Sequence, residues 1–166
     1  MRQSKVLAAA AMLLLLIAGG CKSSGIAVSG KAQILHIGLE IPTDLSDGET
    51  QSLRVEVANR GLTEIDNVEF EVEIPNELII LDHDPETSLE FVEFRSERGT
   101  RVFRYGAGDL ELGSEAKVSY KVRAAFGTLA RTGDIVVTAM AHDLPGGHLV
   151  ESKHVKLRPD RVTSIP

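Results

Sequence analysis

An all-β fold, an antiparallel sandwich or barrel, is what this 166-residue sequence predicts, and three observations carry the prediction. Apolar and charged residues alternate with period two: Leu53, Val55 and Val57 against Arg54 and Glu56, then Val68, Phe70, Val72 and Ile74 against Glu69, Glu71 and Glu73. Such alternation marks a strand with one face buried and the other in water. Glycine-containing turns punctuate the chain at Ser46-Asp47-Gly48, Asn59-Arg60-Gly61, Glu97-Arg98-Gly99, Gly106-Ala107-Gly108, Leu112-Gly113-Ser114 and Pro145-Gly146-Gly147. Beyond the N-terminal segment no stretch keeps a 3.6-residue apolar period, so no amphipathic helix is expected.

The N-terminal segment reads as an address. Arg2 and Lys5 precede an apolar run from Val6 to Ala18, which ends in Gly19-Gly20 before the single cysteine, Cys21. A positive start, a short apolar run and small residues at the cut define an export signal. The run is short for a spanning helix, which needs roughly 20 residues. Ile17-Ala18-Gly19-Gly20-Cys21 resembles the lipobox of bacterial lipoproteins, with Ala18 where that family most often has Leu. The resemblance implies a diacylglyceryl group on the Cys21 sulfur, cleavage before Cys21, and acylation of the new amino group. Several acyl chains hold far better than one, since each buried methylene contributes about 0.8 kcal/mol. Lys22 stands where the family's inner-membrane retention signal has Asp, which implies the outer membrane in a Gram-negative host.

Composition supports this division. The formal charge is −6, and removal of residues 1–20 takes away two basic residues and no acid. Anionic headgroups would repel such a domain, so the lipid and not a basic patch would hold it at the membrane. The same negative field excludes nucleic acid as a partner. One cysteine excludes a disulfide framework and multi-cysteine metal sites. The resulting organisation is a signal peptide at 1–20, the lipidated Cys21 with a small, polar and flexible tether over 21–31, a sandwich over 32–160, and a tail at 161–166.

Taken in order, the first strand carries Leu35, Ile37, Leu39 and Ile41 on one parity and stops at Pro42, which has no amide to donate. The two alternating runs around Val55 and Val72 come next. Further strands are expected at Leu78–Leu81, Leu89–Phe94, Arg101–Tyr105, Ala116–Ala124, Asp134–Ala141 and Leu149–Leu157. The five Phe and two Tyr fall in these strands or at an end: Phe70, Phe91, Phe94, Phe103, Tyr105, Tyr120 and Phe126. Most are expected in the core, leaving little aromatic surface.

The stretch from Leu53 to Ala124 resembles the immunoglobulin-like domains of bacterial surface proteins, the CARDB type and its conserved-repeat relatives. The shared elements are Leu53-Arg-Val-Glu-Val-Ala-Asn59-Arg-Gly61, Asn67-Val-Glu-Phe-Glu-Val-Glu-Ile-Pro75 and Leu110-Glu-Leu-Gly113-Ser-Glu-Ala-Lys-Val118-Ser-Tyr120. Asn59 and Gly61 suit a tight turn because both tolerate positive φ. The resemblance implies an immunoglobulin-like antiparallel β-sandwich and a role in adhesion, display or assembly at a cell surface.

Chemistry-bearing residues are few. Arg95, Arg98, Arg101 and Arg104 form the one basic concentration, around the turn at Glu97–Gly99, and guanidinium groups grip phosphates, carboxylates or a charged partner. Glu90, Glu93 and Glu97 are near enough in sequence to pair with them. The histidines are His36, His83, His142, His148 and His154; no pair has the spacing of a helical metal motif, and Asp82–Pro85 reads as a polar turn. No metal or cofactor is therefore expected, and His83, His142 and His148 are the donors that a carrier would use. Glu69, Glu71 and Glu73 supply carboxylates of the kind used in glycoside hydrolysis, but on a solvated strand face they read as solubilising. Nucleophile elbows and phosphate-binding loops are absent from the sequence, and there is no Trp on which to stack a sugar. The expectation is a non-enzymatic envelope lipoprotein that contacts another envelope protein through a strand edge or loops. The alternative is a periplasmic small-ligand or metal carrier.

Overall fold

The computed structural model describes residues 35–125, 131–142, 144 and 147–158. The signal peptide, Cys21, the tether, Phe126, Asp143, Pro145-Gly146 and the C-terminal tail lie outside the described residues. Among the described residues there are ten strands: β1 (Leu35–Glu40), β2 (Asp44–Ser46), β3 (Thr50–Asn59), β4 (Ile65–Pro75), β5 (Leu78–Pro85), β6 (Glu90–Glu97), β7 (Thr100–Leu110), β8 (Glu115–Ala124), β9 (Arg131–Met140) and β10 (His148–Arg158). They form a four-stranded sheet in the order β1-β3-β8-β5 and a six-stranded sheet in the order β2-β10-β9-β4-β7-β6.

Alternation builds the core as expected. Leu53, Val55 and Val57 of β3 and Val118, Tyr120 and Val122 of β8 are buried from one sheet. Phe70, Val72 and Ile74 of β4 and Ile135, Val137 and Ala139 of β9 meet them from the other. Register aligns like with like, Val55 opposite Val118 and Val72 opposite Val137. Each large apolar side chain buried this way is worth about 1.5–3 kcal/mol, so the interleaved rows between the sheets hold the sandwich together.

Four expectations are corrected. Pro42 does end the first strand, but the chain then crosses to the other sheet and forms β2, where buried Leu45 pairs with Leu157. That pairing is parallel, so the six-stranded sheet is mixed and not wholly antiparallel. Asp82–Pro85 is not a turn: β5 continues through it, paired with β8 from Asp82↔Lys121 to Pro85↔Val118. Backbone pairing sustains this stretch although its side chains lack apolar alternation.

Gly106-Ala107-Gly108 is likewise no turn but the interior of β7, where a register shift against β4 opposes Val68 to Gly108 and Glu69 to Gly106. Gly108 has φ of 66° there, a conformation open to glycine at little strain. Finally, neither Asn59 nor Gly61 has positive φ. Asn59 instead works through its side chain, wholly buried, with Nδ2 donating to the carbonyls of Thr63 and Leu110 at 2.8 Å and Oδ1 accepting from Gly61 N–H at 2.9 Å.

Candidate interaction surface

Strands β5 and β6 are edges of different sheets, and the side of the sandwich between them is lined with rings. At its base the Tyr105 and Tyr120 hydroxyls hydrogen-bond at 2.8 Å, joining β7 of one sheet to β8 of the other. Burial pushes the Tyr105 phenol up to about 12, a rise that its bond to Tyr120 partly offsets. Burial also pushes Tyr120 up, further than Tyr105, with the Tyr105 charge and bond adding to it. Both are therefore neutral at ordinary pH and serve as a clasp inside the core. Phe70 stacks on Tyr105 at 5.3 Å between centroids, and Phe103 meets Tyr120 edge-on at 5.4 Å.

The outer members of this cluster are exposed. Phe91 packs on Tyr105 at 5.8 Å and Phe94 on Phe103 at 5.1 Å, yet the two remain 47% and 50% exposed. From β5, the His83 ring lies 6.1 Å from Phe91, 6.0 Å from Phe103 and 6.3 Å from Tyr120. Leu81 and Val92 add exposed aliphatic surface on these strands. The expectation that the aromatics leave little surface is thus corrected at Phe91 and Phe94. The reason is positional: β6 is the last strand of the wider sheet among the described residues.

Phe91 and Phe94 are three residues apart, which on an unbroken strand sends them to opposite faces. The register shift at Val92 prevents this. Phe91 pairs with Tyr105, Glu93 with Arg104 and Phe94 with Phe103, so one inserted residue turns both Phe rings toward the inner side.

The opposite face of β4, β7 and β6 carries charge. Arg95 donates to both Glu71 oxygens at 3.1 and 3.3 Å and also pairs with Glu93 and Glu97. The Arg104 Nε donates to Glu69 at 3.0 Å, and its terminal nitrogen is bonded to the same carboxylate. Glu71 beside Arg95, and Glu69 beside Arg104, hold each guanidinium above its ordinary pKa. Arg101 donates to the Leu78 carbonyl at 3.1 Å. Among the described residues Arg98, in the turn after β6, is the one of the four without such a bond. The cluster is therefore largely a ladder of compensated charge, and Glu69 and Glu71 are held by arginines instead of facing each other as a free carboxylate pair.

His83, His142 and His148 do not converge. Among the described residues the one acidic or histidine cluster with metal-like spacing is Glu64, Asp66 and Asp109, all exposed. Asp109 there accepts the Asn67 N–H at 2.9 Å. His154 contacts Asp134 at 2.6 Å on the β9–β10 pair.

Two sheets packed through alternating strands, with a lateral strand crossing from one to the other, define an immunoglobulin-like β-sandwich. Among solved structures, a cohesin module from a Clostridium perfringens family 33 glycoside hydrolase is similar, with 16% identity over 78% of this chain and 100% of that one, at a TM-score of 0.50. That likeness shows the fold. A non-cellulosomal cohesin from the archaeon Archaeoglobus fulgidus aligns at 12% identity over 74% of this chain and 90% of that one, with a TM-score of 0.41. AvmM, which catalyses macrocyclization in alchivemycin A biosynthesis, aligns at 11% identity over 82% of this chain and 96% of its own, with a TM-score of 0.48. At those scores neither carries an argument. No family model and no curated protein matches the sequence.

Proposed function

We propose that the chain is a non-catalytic module of the bacterial cell envelope, held at the membrane by lipid on Cys21, that acts by contact with protein through its β6 edge. The observation that carries this reading is the rim of Phe91, Val92 and Phe94 on a strand that, among the described residues, has no neighbour on one side. An edge strand keeps backbone N–H and C=O groups for another strand, and alternating side-chain sites give such pairing its specificity. Half-exposed rings beside that edge supply apolar area for an interface.

The anchor is supported by the lipobox resemblance at Ile17–Cys21 and by the acidic charge of the chain beyond it. The resemblance of residues 53–124 to the CARDB and conserved-repeat group supports a role in adhesion, display or assembly. Catalysis forms no part of the reading, because Glu69 and Glu71 are engaged by arginines and the sequence carries no nucleophile motif.

Two experiments test it. Growth with a clickable fatty acid should label the chain, and unchanged labelling of Cys21→Ser would refute the anchor. A photo-crosslinking residue at Val92 in cells should yield a discrete protein adduct, identified by mass spectrometry, while one at the exposed loop residue Leu62 should not. If Val92 gives none and the purified chain instead carries stoichiometric metal or small molecule through gel filtration, the carrier reading replaces this one.

A further inference from the structure

We infer that the partner for which β6 is shaped is a second copy of this chain, joined edge to edge about a two-fold axis at Phe94. The inference rests on the contact role of β6 and names its occupant. Antiparallel pairing of two identical strands brings residue i of one opposite residue j of the other and the reverse, so the strand must complement itself. With the axis at Phe94, Phe94 faces Phe94 of the second copy, Glu93 faces Arg95 of the second copy, and Arg95 faces its Glu93. Both kinds of pair fall on the right faces: Phe94 packs with Phe103 on the inner side, and Arg95 with Glu71 and Glu93 on the charged side. Arg95 keeps further N–H donors beyond those given to Glu71.

An axis at Ser96 sets Arg95 against Glu97 of the second copy but opposes Phe94 to Arg98 and so forgoes the pair of rings; the axes at Glu93 and Arg95 are opposed by charge. An axis at Glu93 sets two carboxylates against each other. One at Arg95 opposes two guanidinium groups and also sets Glu93 against Glu97 of the second copy. Directly opposed like charges destabilise a strand pair, whereas opposite charges and paired aromatics stabilise it. The bulge at Val92 confines regular pairing to the stretch from Glu93 onward, the stretch that is self-complementary.

The inner face leads to the same occupant. The β6 rings remain half exposed past the cover that β5 gives through His83, and Leu81 at the bulge of β5 is 46% exposed. A second copy presents an equal overhang from the opposite direction. Its Phe94 then meets Phe94, and two six-stranded sheets become continuous across the axis.

The test uses the whole chain, since a cysteine at the axis meets itself. Under mild oxidation in cells Phe94→Cys should form a disulfide dimer at least ten-fold more than Leu62→Cys, although Leu62 is 76% exposed. Equal dimer from the two, or none from Phe94→Cys, overturns the inference.

Charge gives an independent measurement in detergent solution. Glu93→Lys and Arg95→Glu chains should each lose association about ten-fold, and an equimolar mixture should regain it as a heterodimer. In the mixed pair the introduced lysine of one chain meets the introduced glutamate of the other, and the retained Arg95 meets the retained Glu93. Circular dichroism verifies that both variants keep their β-structure. Failure of the mixture to associate while both variants remain folded overturns the pairing. An adduct from Val92 to a different protein, with no self-adduct, overturns the second copy but leaves the contact role standing; no adduct of any kind removes both.

Discussion

Asn59 is the one buried polar side chain among the described residues, and its bonds tie the end of β3 to the loop after it and to the end of β7. Asn59→Ala should lower unfolding free energy by about 2–4 kcal/mol, because it strands two carbonyls and one amide in the interior; urea titration measures this. The tyrosine clasp makes a second prediction, and its sign is fixed by linkage. Tyr105 ionises at about 12 in the fold against an ordinary 10.0, and Tyr120 is raised as well. The folded state thus holds its phenolic protons more tightly than the unfolded chain. Stability from this source is complete below the unfolded pKa and is lost as pH rises through the folded value. Urea midpoints should decline above about pH 10, and the Tyr105→Phe/Tyr120→Phe variant should flatten that decline. With two Tyr and no Trp, phenolate absorbance reports this pair directly. At this scale the sequence revealed where the arginines cluster and that Glu93 and Glu97 lie near enough to pair with Arg95, but not their partners on β4. Glu71 and Glu69 lie 24 and 35 residues from Arg95 and Arg104, and strand order alone brings them together.

The strands themselves were legible where one face is buried and the other wet, as in β3, β4 and β8. They were not legible where backbone pairing carries the strand without apolar alternation, as in Asp82–Pro85, or where the strand is three residues long, as in β2. The interaction edge left a trace that can be read in hindsight. Phe91 and Phe94 break period two within a strand, and such a break signals an inserted residue. Glycine within an element has a different use at Gly133 of β9, where an added Cβ would lie 2.9 Å from Cγ of Pro75 at the end of β4. The proline ring is rigid, so Gly133→Ala should destabilise by about 1–3 kcal/mol, read as a lower melting temperature.

Across the molecule, β10 holds the only described partner of β2 and one flank of β9, and buries Leu149, Val155 and Leu157. A chain ending before residue 148 should lose cooperative unfolding, with a broad thermal transition and binding of a dye for exposed apolar surface. Most pairings join strands distant in sequence, so refolding should be slow for the size, on a scale of about milliseconds to seconds. The parallel pair at the sheet's far edge has a mechanical consequence as well. Asp44–Ser46 runs alongside Lys156–Arg158, with Lys156 N–H donating to the Thr43 carbonyl at 2.8 Å, Asp47 N–H to the Arg158 carbonyl at 3.1 Å, and Arg158 paired with Asp44 at 2.9 Å. A tension applied between residue 35 and residue 158 pulls these two strands along their lengths in opposite senses. The bonds between them then bear the load together in shear instead of opening singly like a zip, so the joint resists most strongly a pull between the first and last described residues.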